Sequence, residues 1–195
     1  AEGVDAMKDV NNFQDGCVIV LPGLAADVKV VRDRNGMPYL YAETLRDAIY
    51  AQGFVVSQDR LFQMELLRRL AKGELAEMAC EKARETDIQN RTIGFYRNAV
   101  KHAAILDNET LDFLKAYVAG INEFIRRGDD LHFEFRLAGI RPAEWTVEDS
   151  LAVCYFTGWN SAANFKAELI AQLLIDKLGP AKARQLAPIT SPPDK

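Results

Sequence analysis

The stretch GFVVSQDRLFQMELLRR, Gly53 to Arg69, sets the tightest limit on what this chain can fold into. Leu61, Phe62, Met64, Leu66, Leu67 and Leu70 fall on more than one face of a helix, so that helix must be buried on several sides. Yet Asp59, Arg60, Glu65, Arg68 and Arg69 lie in the same run. An unpaired charge in a dry interior is very costly, so these side chains must meet partners from other elements. The stretch predicts a core helix tied down by ion pairs. The competing reading makes it catalytic, with carboxylates such as Asp59 and Glu65 converging on a cleft.

The flanking sequence supplies the neighbours. VKVVRD, Val28 to Asp33, and MPYLYAE, Met37 to Glu43, have the β-branched and aromatic content of two strands, joined by a turn at Asn35-Gly36. Thr44 followed by Asp47 resembles a capping box that opens a helix. Gly53 either interrupts that helix or lets another element approach closely, and a second helical stretch runs from Ser57 until Gly73 stops it. Further helices are expected over TDIQNRTIGFYRNAVKHAAI, over a segment capped by Asn108 and ended by Gly128, after Thr146, and over NFKAELIAQLLIDKLG up to Gly179-Pro180. The sum is a mainly α chain with one short β-hairpin. Two strands alone are marginal and leave open edges, so the hairpin belongs to a sheet completed by another chain.

Composition excludes several classes. With 49% apolar and 27% charged residues the chain can bury a core, and a net charge of -4 without a basic stripe argues against nucleic acid as a partner. No apolar run is long enough to span a membrane. Cys17, Cys80 and Cys154 are widely spaced and are read as small buried hydrophobes, with one disulfide plus a free thiol as the alternative. His102 and His132 are the two candidate bases for a Ser/His/Asp site, and no G-x-S-x-G, P-loop or H-E-x-x-H accompanies them. Residue types alone identify no reaction.

The order of motifs is more specific. VKVVRDRNGMPYLYAE, then DAIYAQGFVVSQDRLFQMELLRRLAKGELAE, then LAGIRPAEWTVEDSLAV strongly resemble the α chain of penicillin acylases and the related N-acyl-homoserine lactone acylases, which are N-terminal-nucleophile (Ntn) hydrolases. The resemblance runs from about Val28 to Gly179. It implies that these helices and strands contribute to a four-layered αββα fold completed by a separate β chain. It divides the chain into an N-terminal arm (1–27), an α-chain domain (28–187) and a processed C-terminal tail (188–195). It also implies an exported, periplasmic or secreted precursor that cuts itself into α and β chains, with its signal peptide removed.

The chemistry so implied is amide hydrolysis of N-acylated small molecules, either N-acyl-homoserine lactones or penicillin-type β-lactams. An acyl-enzyme would form on the N-terminal Ser of the β chain, so no catalytic residue is expected here. That serine's own α-amine, with a pKa near 8, would be the base, and no histidine would be needed. The resemblance places substrate-binding residues in YFTGWNSAANF, namely Trp159, Asn160, Asn164 and Phe165. Asn160 and Asn164 stand where penicillin G acylases carry Met and Phe, which departs from a phenylacetyl-selective pocket. Glu168 is the implied counterpart of an α-chain ligand to a structural calcium shared with β, and no organic cofactor is implied. The alternative to an enzyme subunit is a non-catalytic helical interaction module that retains the acylase scaffold.

Overall fold

The computed structural model describes residues 18–128, 131–162 and 164–186. Most of the predicted arm, Cys17 and the predicted tail lie outside them. The chain forms two compact units, Ala1–Phe156 and Thr157–Lys195.

The first unit opens with the expected hairpin. Strands β1 (Lys29–Arg32) and β2 (Pro38–Tyr41) pair antiparallel, with Val30 opposite Leu40 and Val31 opposite Tyr39. The turn is set locally. Asp33 Oδ1 accepts from the Asn35 and Met37 amides at 2.8 and 2.9 Å, and Gly36 takes a φ of 78° that a side chain would resist. One sheet face meets the helix that follows, through Leu40 and through a bidentate pair from Arg32 to Asp59 at 2.9 Å. The opposite face leaves Val31, Tyr39 and Tyr41 exposed.

Helix α1 (Leu45–Lys72) is a single element of 28 residues, so the predicted break between two helices is corrected. Thr44 caps it by accepting the Asp47 amide at 3.1 Å, whereas the Asp47 carboxylate accepts from the Ala25 amide at 3.0 Å instead of closing the box. Gly53 costs the helix interior about 1 kcal/mol in propensity, and the packing accounts for its presence. Helix α5, which spans Asn108–Arg127, crosses here: a Cβ at Gly53 would lie 2.1 Å from the Tyr117 carbonyl oxygen, and one at Gly120 would lie 2.0 Å from the Tyr50 carbonyl oxygen. Two backbones thus touch where two glycines face them. Phe54, Val55, Leu61, Ile121, Phe124, Phe135 and Trp145 fill the core around this crossing.

Between α1 and α5 lie α2 (Ala76–Ala79), a 3-10 turn (Cys80–Ala83), α3 (Arg84–Ile93) and α4 (Phe95–Ala103). A single helix was expected over the last two. Gly94, at φ 84°, ends one and starts the next. Helix α3 serves the ends of its neighbours. Asn90 donates to the Leu70 carbonyl at 2.8 Å and Arg91 to the Gly73 carbonyl at 2.7 Å, while Asp87 accepts from the Leu75 and Ala76 amides at 2.9 and 2.7 Å. The N-cap of α5 is Asp107, which accepts the Thr110 amide at 2.9 Å, and not the predicted Asn108, the first helical residue. The looser segment after α5 contains a short helix, α6 (Phe133–Ala138).

Of the charges in the opening stretch, Asp59, Arg68 and Arg69 meet partners from other elements as expected, whereas both partners of Glu65 lie on α1 itself and Arg60 is exposed. Arg68 is 3% exposed and donates to Glu65, to Asp149 at 3.3 Å and to the Glu144 carbonyl at 2.9 Å, with its guanidinium 5.0 Å from the centre of the Trp145 ring. Arg69 holds Glu65 at 2.7 Å and Glu77 at 2.9 Å, and Lys72 holds Asp149 at 3.1 Å. Three cations therefore face three carboxylates, so this network carries no net charge into the interior. Asp149 also closes a true capping box on α7 (Val147–Ser161): it accepts the Thr146 amide at 3.0 Å while Thr146 Oγ1 accepts the Asp149 amide at 3.1 Å.

The second unit contains the last turn of α7, then α8 (Phe165–Leu178) and α9 (Pro180–Leu186), which pack on each other. The last of these was not expected, because Pro180 was read as a stop. The cysteine reading is also corrected. Cys80 and Cys154 are both exposed and free.

Two predictions follow from this packing. Replacing Gly120 by Ala should destabilise the chain by about 3 kcal/mol despite a propensity gain of about 1 kcal/mol, because the clash is with backbone. Replacing Arg68 by Met should cost about 3 kcal/mol by taking from the buried Glu65 and Asp149 one of the two cations each of them meets; urea unfolding measures both. A third concerns acid. The Ala25 amide, and after it Thr44, hold the buried Asp47 carboxyl below the usual carboxylate range. A depressed folded pKa means that this clamp contributes fully above about pH 4 and is lost as the pH falls through the folded value. The Tm gap between the wild type and Asp47→Asn should thus be widest at neutral pH and narrow progressively below about pH 4.

Candidate functional site

Ser57, Asp59 and Glu65 of the opening stretch are engaged by neighbours in α1 or by the hairpin. Ser57 Oγ is buried and donates to the Gly53 carbonyl of its own helix at 2.8 Å, and Asp59 is clasped by Arg32. Glu65 is gripped by Arg68 and Arg69. The ion-paired reading of the stretch therefore holds over the catalytic one.

The histidines are likewise in use. His132 Nε2 donates to the Gln58 carbonyl at 2.7 Å, which fixes its tautomer, and its ring lies near Phe124 and Phe135. His102 Nδ1 lies 3.1 Å from the Tyr155 hydroxyl. That pairing joins residues 53 apart in sequence and had no sequence signal. Tyr117 has a pKa raised by burial, as does Tyr50, where the Glu123 charge adds to the effect.

The residues expected to bind substrate lie together in the second unit. Trp159 and Asn160 occupy the last turn of α7, Asn164 stands immediately before α8, and Phe165 is its first residue. Backbone bonds stitch the junction: the Ala162 amide donates to Gly158 at 3.0 Å, the Asn164 amide to Ala162 at 2.6 Å and the Glu168 amide to Asn164 at 2.9 Å. Asn164 is helical in conformation, and its side chain does not cap α8, so the amide is not consumed there. Trp159, Asn160 and Asn164 are all exposed. These three side chains therefore face outward at the junction.

Glu168, in the first turn of α8, is exposed as well. Among the described residues no group of three or more His, Cys, Asp or Glu gathers around a common point. Calcium takes six to eight oxygens, so the carboxylate of Glu168 does not hold such an ion by itself. No described helix is long and apolar enough to cross a membrane.

Comparison with known proteins gives these elements a context. The penicillin amidase family profile matches residues 27–193. The penicillin acylase 2 proenzyme of Pseudomonas sp. (strain SE83) is 44% identical over 133 residues, covering 68% of this chain and 17% of that protein. The acyl-homoserine lactone acylase QuiP of Pseudomonas aeruginosa is 34% identical over 169 residues, 86% of this chain and 20% of that one. Penicillin G acylase of Escherichia coli is 30% identical over 194 residues, 89% of this chain and 23% of that protein. The chain thus spans about a fifth of the length of these relatives. Among solved structures, the thermostable penicillin G acylase from Alcaligenes faecalis aligns with a TM-score of 0.67 and 25% identity, over 87% of this chain and 96% of that one. With the hairpin, the ion-paired α1 and the capped α7 all falling inside the matched region, the chain belongs to the penicillin amidase family.

Proposed function

We propose that this chain is the α subunit of a heterodimeric amidohydrolase that removes the acyl group from N-acylated small molecules. The observation that carries this reading is the family match over residues 27–193, supported by relatives named for penicillin and for acyl-homoserine lactone acylase activity. The nucleophile is the N-terminal Ser of a β chain from the same exported, periplasmic precursor. Its α-amine takes the hydroxyl proton as the oxygen attacks the amide carbonyl, and donors on β stabilise the resulting oxyanion. The acyl-enzyme is then released by water.

This chain's part is to build the scaffold and one wall of the acyl site. Trp159 offers aromatic surface to an acyl chain, with Phe165 assigned beside it by the family resemblance, and Asn160 and Asn164 offer amides where a purely apolar lining would favour phenylacetyl groups. The exposure of Trp159, Asn160 and Asn164 fits a wall whose other half lies on β. The open hairpin supports the same assembly, since an exposed Val31, Tyr39 and Tyr41 face on a two-stranded sheet is the kind of surface that another sheet covers. If calcium is part of the complex, Glu168 provides one carboxylate and β the remaining oxygens. No step of the reaction passes through it.

Co-expression of this chain with the rest of its precursor tests the proposal. The purified complex should contain a β chain beginning with Ser and should release amine from decanoyl-homoserine lactone or a phenylacetyl amide. Replacing that Ser should abolish turnover, whereas His102→Ala and His132→Ala should keep kcat within about tenfold, since neither is the base. Trp159→Ala should raise KM for the preferred acyl group more than it lowers kcat. A complex that assembles but cleaves neither amide would favour a helical interaction module instead.

A further inference from the structure

Residues 18–27 form no helix or strand, so their amides and carbonyls need partners from outside the segment. Two helices supply them. Arg127, at the end of α5, donates to the Val20 carbonyl; at the start of α1, Arg46 donates to the Gly23 carbonyl at 3.4 Å and Asp47 accepts the Ala25 amide at 3.0 Å. Ile19 and Leu21 pack against the core, and Gly23 lies so close to the buried Tyr50 that a Cβ there would be 2.1 Å from its ring. The segment thus bridges the start of α1 and the end of α5.

Its anchors are unequal. Val18 and Val20 are 87% and 78% exposed and Ile19 and Leu21 are only partly buried, so little apolar area holds the segment down. Arg46 and Arg127 reach it from exposed positions, where water competes for each hydrogen bond. Asp47 is fully buried: its Oδ1 takes the Ala25 amide, and its Oδ2 meets no hydrogen-bond donor among the described residues. A buried carboxylate cannot give up that amide and stay dry, so Ala25 leaves only when the segment lifts and water reaches Asp47. We propose that residues 18–26 are a strap that clips α1 to α5 and opens as a unit, ahead of the crossed helices themselves, with the Asp47–Ala25 bond as its latch. The crossing stays closed in this step, because its contacts at Gly53 and Gly120 are made between α1 and α5 without the strap. Opening uncovers Tyr50 and offers the chain around Leu21 and Leu24 to proteases, so the latch governs where the chain is first cut. The strap is independent of the proposed reaction.

Hydrogen exchange at neutral pH, on the chain co-expressed with the rest of its precursor, provides the test. The Leu24 and Ala25 amides, which both donate hydrogen bonds, should exchange together and at least ~10-fold faster than the core amides of α1 and α5. Asp47→Ala should speed both at least ~10-fold further, and Arg46→Met by less than about threefold. Gly23→Ala, which pushes the strap off Tyr50 and leaves α1 unaltered, should act as Asp47→Ala does. Arg68→Met weakens the core with the strap open or closed, so it should speed exchange in α5 and change Leu24 and Ala25 less than about twofold. A protease that cuts at leucine should nick Asp47→Ala first within residues 18–26. Strap amides as slow as those of α5, or speeded by Arg68→Met as much as α5 is, would show that the segment opens only by global unfolding and overturn the inference. An unchanged Ala25 amide in Asp47→Ala would do the same, as would strap amides with no protection in the wild type.

Discussion

The Arg68 guanidinium, on α1, faces Glu65, Asp149, two carbonyls of the segment before α7 and the Trp145 ring. Its burial is tolerable because each carboxylate it meets has a second cation or amide, so removing water from one group does not leave another exposed to a low-dielectric interior. Such a network adds little net stability compared with hydrocarbon. What it adds is geometry. Only one rotation of α1 and one start of α7 let all these groups meet, and the start of α7 is further fixed by Asn122, which exchanges hydrogen bonds of 2.7 and 2.9 Å with the backbone of Trp145.

Local chemistry was legible in the sequence. The Asn35-Gly36 turn, the Thr44 and Thr146 caps, and Gly73 and Gly128 as stops depend on a few neighbouring residues, and all appear where those residues stand. Gly53 could not be resolved because its reason lies 64 residues away, in the Tyr117 carbonyl that no periodicity reveals (117 − 53 = 64). Pro180 was read as a terminator, although proline at a first helical position starts a helix as readily as it ends one. Asp107 and Asn108 are both good caps, and only the backbone selects between them. The residues expected to bind substrate share one helix junction, but no short-range pattern in the sequence says what they bind.

A division of labour follows. The first unit carries the crossed helices, the arm and the ion network; Ile19 and Leu21 join its core, and Arg127 reaches the Val20 carbonyl. The second unit carries the residues assigned to substrate. On the proposed function, the residues that line the acyl site can vary without disturbing the core of the first unit.

The glycine crossing has a consequence in time. Helix α1 can be complete in its own hydrogen bonds as soon as Gly73 is made, yet its apolar sides have nothing to cover them until α5 arrives. A ribosome must therefore extend the chain through α2, the 3-10 turn, α3 and α4 and on past Gly120 in α5 before the two backbones can close on each other. During that interval the apolar faces of α1 are exposed, while the charged groups of Glu65, Arg68 and Arg69, paired along the helix itself, keep its last turns in water until Trp145 and Asp149 are present. The same groups that specify the finished packing act earlier as its solubilising guard.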